Sequence, residues 1–194
     1  MQPRVHLLVS AATVYLLAGS ALSDHPKALV VIAHPDDDAA FSSVLYQLTH
    51  QLDRTVDLAL VTDGSGGYRY STLAEEIYGG EFTNEEVARQ HLPAIRKQEL
   101  MAGGAIVGIS KYFFFDQLDD AFTTDVDPVL ADTWDAGWVR QRLMGILWDG
   151  DYDLIIIAVP AALGGVFRSL TAKLNPEVYQ PEGGNALFVF ALPE

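Results

Sequence analysis

The chain has 194 residues, enough for one domain with a substantial core. Twelve Lys and Arg stand against 26 Asp and Glu, for a net charge of −14 and a pI near 4.5. Such a surface excludes general nucleic-acid binding and adhesion to anionic membranes, and it suits cations and neutral ligands. There are no cysteines, so a disulfide framework and a thiolate metal site are both excluded.

Residues 1–23 read as a signal peptide. Arg4 precedes an apolar stretch from about Leu7 to Ala18, and Ala21 and Ser23 fall at the −3 and −1 positions of a cleavage site before Asp24. The stretch is short for a membrane span. The expectation is a secreted or periplasmic protein, without stable membrane insertion after cleavage, whose folded domain is residues 24–194. An uncleaved anchor is the rival reading.

Apolar runs then alternate with helical segments. Ala28–Ala33 is a continuous apolar run, as in a strand buried on both faces. A helix is expected over Ala39–His50 and a second strand over Val56–Thr62, closed by "DGSGG". Thr83–Glu86 has the T-x-x-E capping-box spacing and opens a helix through about Gly103, which Pro93 is expected to kink or divide. A third strand follows at Lys111–Phe115, a helix at Trp134–Trp148, a fourth strand at Asp153–Val159, a short helix at Gly165–Leu174 and a last strand at Ala186–Leu192. This alternation indicates an α/β fold with a mostly parallel sheet.

In such sheets ligands sit beyond the carboxyl ends of the strands. There strand one delivers His34-Pro35-Asp36-Asp37-Asp38, strand two delivers Asp63 with Gly64, Gly66 and Gly67, and strand three delivers Asp116. Three adjacent aspartates repel one another, and a cation, the N-terminus of the next helix or plain exposure to water must compensate them. His34 and Asp37, three apart across a turn stiffened by Pro35, can aim an imidazole nitrogen and a carboxylate oxygen at one ion. Zinc accepts this donor set, and a catalytic zinc commonly has three protein ligands and one open position. Asp36 lies between them and is placed to take a proton from water. The competing reading is that Asp36–Asp38 only cap the following helix.

The stretch "VVIAHPDDDAAF" resembles the A-H-P-D-D-E signature of the LmbE/PIG-L metal-dependent deacetylases. The resemblance continues through "LVTDGSGG", "IRKQELMAGGAIVGI", "FFFDQLDD", "YDLIIIAVP" and "GNALFVFALPE", in the same order from about Ala28 to the C-terminus. It implies a Rossmann-like three-layer α/β fold and the hydrolysis of an N-acetyl amide on an N-acetylglucosamine-type sugar or conjugate. It implies Zn2+ or another divalent metal on His34 and Asp37, with Asp36 as general base. Arg96 matches the arginine of the family's R-x-x-E helix and is a substrate-contact candidate, with a salt bridge to Glu99 or another carboxylate as the alternative. Asp63 is a second such candidate, with a plain turn role as its alternative.

Two departures stand out. Asp38 replaces the family's usual Glu, one methylene longer. More seriously, the His-rich segment that supplies the family's third metal ligand is replaced by "VPAALGGVFRSLTAKL", with Gly164 and Phe167 about where two histidines belong, and no histidine follows His91. Asp63 or Asp116 is a candidate substitute ligand. Losing a ligand weakens metal binding, so a degenerate member that keeps only a carbohydrate pocket is the alternative function. A nucleotide-binding domain, raised by "DGSGG", lacks a G-x-G-x-x-G after strand one and any P-loop. Tyr68, Tyr70, Tyr78 and Phe82 are available to stack on a sugar or to pack their own loop.

Overall fold

The structure, a computed structural model, describes residues 26–120, 123, 125, 127–159 and 186–191. The expected signal peptide, the helix at 165–174 and positions 164 and 167 lie outside them. Among the described residues five strands form one sheet: β1 (Lys27–Ile32), β2 (Thr55–Thr62), β3 (Ile109–Gln117), β4 (Leu154–Val159) and β5 (Ala186–Ala191). Their spatial order is β3-β2-β1-β4-β5. The first four are parallel, and β5 adds to the edge antiparallel to β4. The chain is α/β with a mostly parallel sheet, as the strand pattern indicates.

β1 is central and both its faces are covered, hence its unbroken apolar run. Val30 and Ile32, with Leu58 and Leu60 of β2, face the segment 37–51 and Leu100. Leu29, Ala59 and Phe115 face the opposite way, against Ile146, Val139, Leu143 and Leu147. Those last residues lie on α4 (Ala136–Gly150), whose N-cap Asp135 accepts from Trp138 N. The three layers therefore follow from period-two alternation in β1 and β2.

The helical segments depart from the sequence reading in detail. The helix expected over Ala39–His50 is composite: a 3₁₀ turn over Asp37–Phe41, a short α1 (Ser42–Tyr46) and a π turn over Gln47–Gln51. A short α2 (Thr72–Tyr78) follows β2 and ends at Gly79. The long helix α3 runs Glu85–Val107, and Pro93 sits inside it without dividing it. Its cap is Asn84, whose Oδ1 accepts from Glu86 N and Val87 N. The Thr83–Glu86 capping box does not form, because Glu75 of α2 takes both the Thr83 N–H and its hydroxyl, at 2.7 Å each. α3 ends past Gly103, at Gly108, which has a φ of +86° that favours glycine.

Candidate active site

Each of the first three strands ends in a loop on the same rim of the sheet, and three loops meet there. Just past β1 the chain turns sharply: Asp37 N–H donates to His34 O at 3.2 Å. The Asp37 carboxylate closes the turn, its Oδ2 accepting from Ala33 N at 3.1 Å and His34 N at 2.8 Å. From β2, Thr62 donates to Ala33 O through both its N–H and its hydroxyl. This knot of hydrogen bonds fixes where the His34 ring leaves the backbone.

The ring lies between two carboxylates. Its Nδ1 is 3.6 Å from Asp37 Oδ2 and its Nε2 is 3.4 Å from Asp119 Oδ1. Burial opposes a charged imidazole here, but hydrogen bonding to Asp119 and Asp37, with their negative charge, outweighs it and holds the His34 pKa up at about 10. Without a metal, this histidine is an imidazolium at neutral pH.

Asp119 is itself held at several points. Its N–H donates to Asp63 Oδ1 at 3.1 Å, and its Oδ2 accepts from Gly66 N at 3.2 Å. A Cβ on Gly66 would come within 2.7 Å of Asp119 O and 2.8 Å of its Cγ, so glycine is needed for this approach. Asp63 Oδ1 also accepts from Ser65 N at 2.9 Å, and Asp63 N donates to Gln117 O. Through these bonds Asp63 ties the loop after β2 to the loop after β3.

Asp36 points away from this cluster. Its side chain is 74 % exposed, against 10 % for Asp37, and its Oδ1 is 3.0 Å from Arg96 Nη2. Arg96 also donates from Nη1 to Gly64 O at 2.9 Å. Gly64, at φ +72°, leaves room for Pro35 and for the Arg96 stem. A cleft of about 220 Å³ opens beside this pair, lined by Pro35, Asp36, Asp38, Arg96, Glu99 and Leu100. Burial pushes the Asp38 carboxyl above its usual range, partly offset by backbone N–H donors.

The site therefore holds one imidazole with carboxylates around it, donors that a divalent cation accepts. Among the described residues no three His, Asp or Glu side chains are arranged to hold an ion. The donor chemistry fits a metal, while the full ligand count is not met by these residues alone.

A family model described as PIG-L, GlcNAc-PI de-N-acetylase, matches residues 29–164. The chain belongs to the PIG-L family. That description names a de-N-acetylase, and the LmbE/PIG-L family is generally metal-dependent. No curated protein matches the chain. Among solved structures it is similar to N,N'-diacetylchitobiose deacetylase from Pyrococcus horikoshii, at 22 % identity and a TM-score of 0.49, over 68 % of this chain and 40 % of that one. It thus spans about two fifths of that protein's length. It is also similar to GalB, the 4-carboxy-2-hydroxymuconate hydratase from Pseudomonas putida, at 14 % identity and a TM-score of 0.43, over 87 % of this chain and 97 % of that one.

In this PIG-L chain, His34, Asp36, Asp37, Asp63 and Arg96 all come to one rim. Arg96 meets Asp36 rather than Glu99, whose carboxylate accepts from the Tyr78 hydroxyl. Asp116 does not join them. β3 continues to Gln117, and Asp116, at φ +51°, turns outward to pair with Lys97. The sequence reading does not single out Asp119, although "FFFDQLDD" contains it, because a strand ending at Phe115 places Asp116 at the rim, whereas β3 runs on to Gln117. His50 stacks on Tyr46, and His91 lies edge-on to Phe82. Of the loop aromatics, Phe82 and Tyr68 pack with Ala88 and Leu92, while Tyr70 is exposed.

Proposed function

We propose that this chain is a divalent-metal-dependent hydrolase that removes the N-acetyl group of an N-acetylglucosamine-type sugar or conjugate. His34 and Asp37 are the protein ligands for zinc or a similar ion, and Asp36 is the general base. The observation that supports this reading is the division of labour within one turn. Asp37 is folded in beside the His34 ring, while Asp36 stands at the mouth of the cleft with Arg96 against it. A turn that served only to cap the next helix would not need this split, and no side-chain cap forms at Asp36.

The ion, when bound, polarises the acetyl carbonyl and acidifies a water. Asp36 takes one proton from the attacking water as its oxygen bonds to the carbonyl carbon. The C–N bond then breaks as Asp36 passes that proton to the nitrogen, and the free amine and acetic acid leave, the acid releasing its proton to solvent as acetate. Arg96 fixes the Asp36 carboxylate and offers the remaining edge of its guanidinium to sugar hydroxyls. Asp63 supports the site through the loops it joins. Among the described residues no helix is long and apolar enough to cross a membrane.

The second reading, a family member that binds metal weakly and does not turn over, is favoured by two observations: both ring nitrogens of His34 already face carboxylates, and no histidine follows His91. Metal analysis of the full chain purified without chelator separates the two. Near-stoichiometric zinc that is lost in His34→Ala, with acetate released from N-acetylglucosamine conjugates, supports the hydrolase. Metal-free protein that releases no acetate leaves the second reading.

A further inference from the structure

We infer that Arg89 is a positioning residue of this site, acting through Asp119 on His34. The inference rests on the proposed reading only in taking His34 as a site residue. Arg89 lies on α3, one turn after the Asn84 cap, where its side chain reaches back across the rim of the sheet. Its Nη1 donates to two acceptors on two different loops: Ser65 Oγ at 3.0 Å and the Asp119 backbone carbonyl at 3.1 Å. Ser65 is fully buried and Asp119 nearly so, so this guanidinium serves acceptors that water does not reach freely.

The guanidinium is itself held. Its Nε and Nη2 lie 2.9 and 2.8 Å from Glu85 Oε1, one helical turn earlier. Glu85 Oε2 in turn accepts from the Tyr68 hydroxyl. A guanidinium fixed along one edge by a carboxylate, with its remaining nitrogen shared between a hydroxyl and a backbone carbonyl, is a geometry that arginine supplies and lysine does not. Among the described residues Arg89 serves its carbonyl, Asp63 its N–H and Gly66 its Oδ2, and the remaining polar atom of Asp119, Oδ1, faces His34. Arg89 thus sets the distance between the acid and the imidazole without touching either side-chain group. The sequence carries no motif for this, because Arg89, Ser65 and Asp119 lie on three separate elements.

The test reads the His34 ring directly. Histidine-selective nitrogen NMR of the full chain, metal-free and at one fixed pH, is compared for wild type, Arg89→Met, Arg89→Lys, Asp119→Asn and the double variant Arg89→Met/Asp119→Asn. His34→Gln assigns the resonance. The expected result is that Arg89→Met moves the His34 signals toward their Asp119→Asn positions and that the double variant moves them no further than Asp119→Asn alone. Arg89→Lys keeps the charge but not the fork, and is expected to give a smaller displacement in the same direction. His34 signals that stay at their wild-type positions in Arg89→Met, or in Arg89→Lys if the former does not fold, would overturn the inference even if the melting temperature falls. Additive displacements in the double variant would overturn it equally. Coupled displacements in a chain that shows no acetate release would sink the hydrolase reading and leave this one standing.

Discussion

His34 Nε2 and Asp119 Oδ1 lie 3.4 Å apart, although one follows β1 and the other β3, and β2 runs between those strands. The contact makes the histidine's charge a property of the tertiary fold. It also gives the metal-free chain a specific pH response. The folded-state pKa is raised from 6.5 to about 10. The imidazolium therefore contributes its full stabilisation below pH 6.5, and that contribution is lost as the pH rises toward 10. Melting temperatures measured in chelator should fall across this window for wild type and much less for His34→Gln. An equal fall in both proteins would show that His34 is not the group that titrates.

Gly66→Ala is expected to destabilise the chain by about 1–3 kcal/mol, since the added carbon meets the Asp119 backbone carbonyl and that backbone cannot simply rotate away. Gly145→Ala is the control. A Cβ there meets nothing within 4 Å on a helix interior, and alanine should stabilise by up to about 1 kcal/mol. Urea midpoints check both signs.

Arg96→Met separates two roles of one side chain. If Arg96 chiefly orients Asp36, the substitution lowers kcat, by about 100-fold for a misplaced base, with KM little changed. If it chiefly binds the sugar, KM rises and kcat is spared. The pair distance of 3.0 Å to Asp36 favours the first outcome. Steady-state kinetics on an N-acetylglucosamine conjugate decide it, with Asp36→Asn as the reference for loss of the base.

Far from the site, the opposite end of the sheet holds a buried polar set. Asp57, on β2, is 2 % exposed; its Oδ2 accepts from the Tyr152 hydroxyl at 2.7 Å and lies 3.1 Å from Lys27 Nζ. Removing the acid strands its partners, and Asp57→Ala should cost about 3 kcal/mol. Tyr152→Phe removes one donor and should cost about 1–3 kcal/mol. Denaturant titration gives both values, and an effect below 0.5 kcal/mol (about the scatter of surface substitutions) would contradict the assignment.

Tyr112 predicts the reverse sign. Its hydroxyl is buried against Gly104 and has no hydrogen-bond partner among the described residues. Burial, and then the charge of Asp38, push its pKa up to about 12. Tyr112→Phe deletes an unsatisfied group and should leave the melting temperature unchanged or raised; a clear drop would mean that the hydroxyl has a partner.

Much of this was legible in one dimension. The unbroken apolar run of β1 reflects burial on both faces, and the histidine and acids that follow it are close in sequence, so one turn suffices to bring His34 and Asp37 together. Such local features are set by short-range geometry. Element ends were less legible. Asn84 displaced Thr83 as the cap of α3 because Glu75, from another helix, claimed the threonine, and no local pattern announces that competition.

Sequence alone determined the alternation of strands and helices, the sheet edge on which the polar loops gather, and the turn that sets Asp36 apart from Asp37, because each depends on side-chain periodicity or on residues within a few positions of one another. Only the tertiary structure decided that Asp119, not Asp116, reaches His34, that Asp63 joins two loops, and that Arg89 and Arg96 brace the rim from α3. Those relations depend on where β3 ends, on the left-handed turn at Asp116 and on how α3 crosses the sheet, and distances between separate elements are fixed by packing rather than by spacing along the chain.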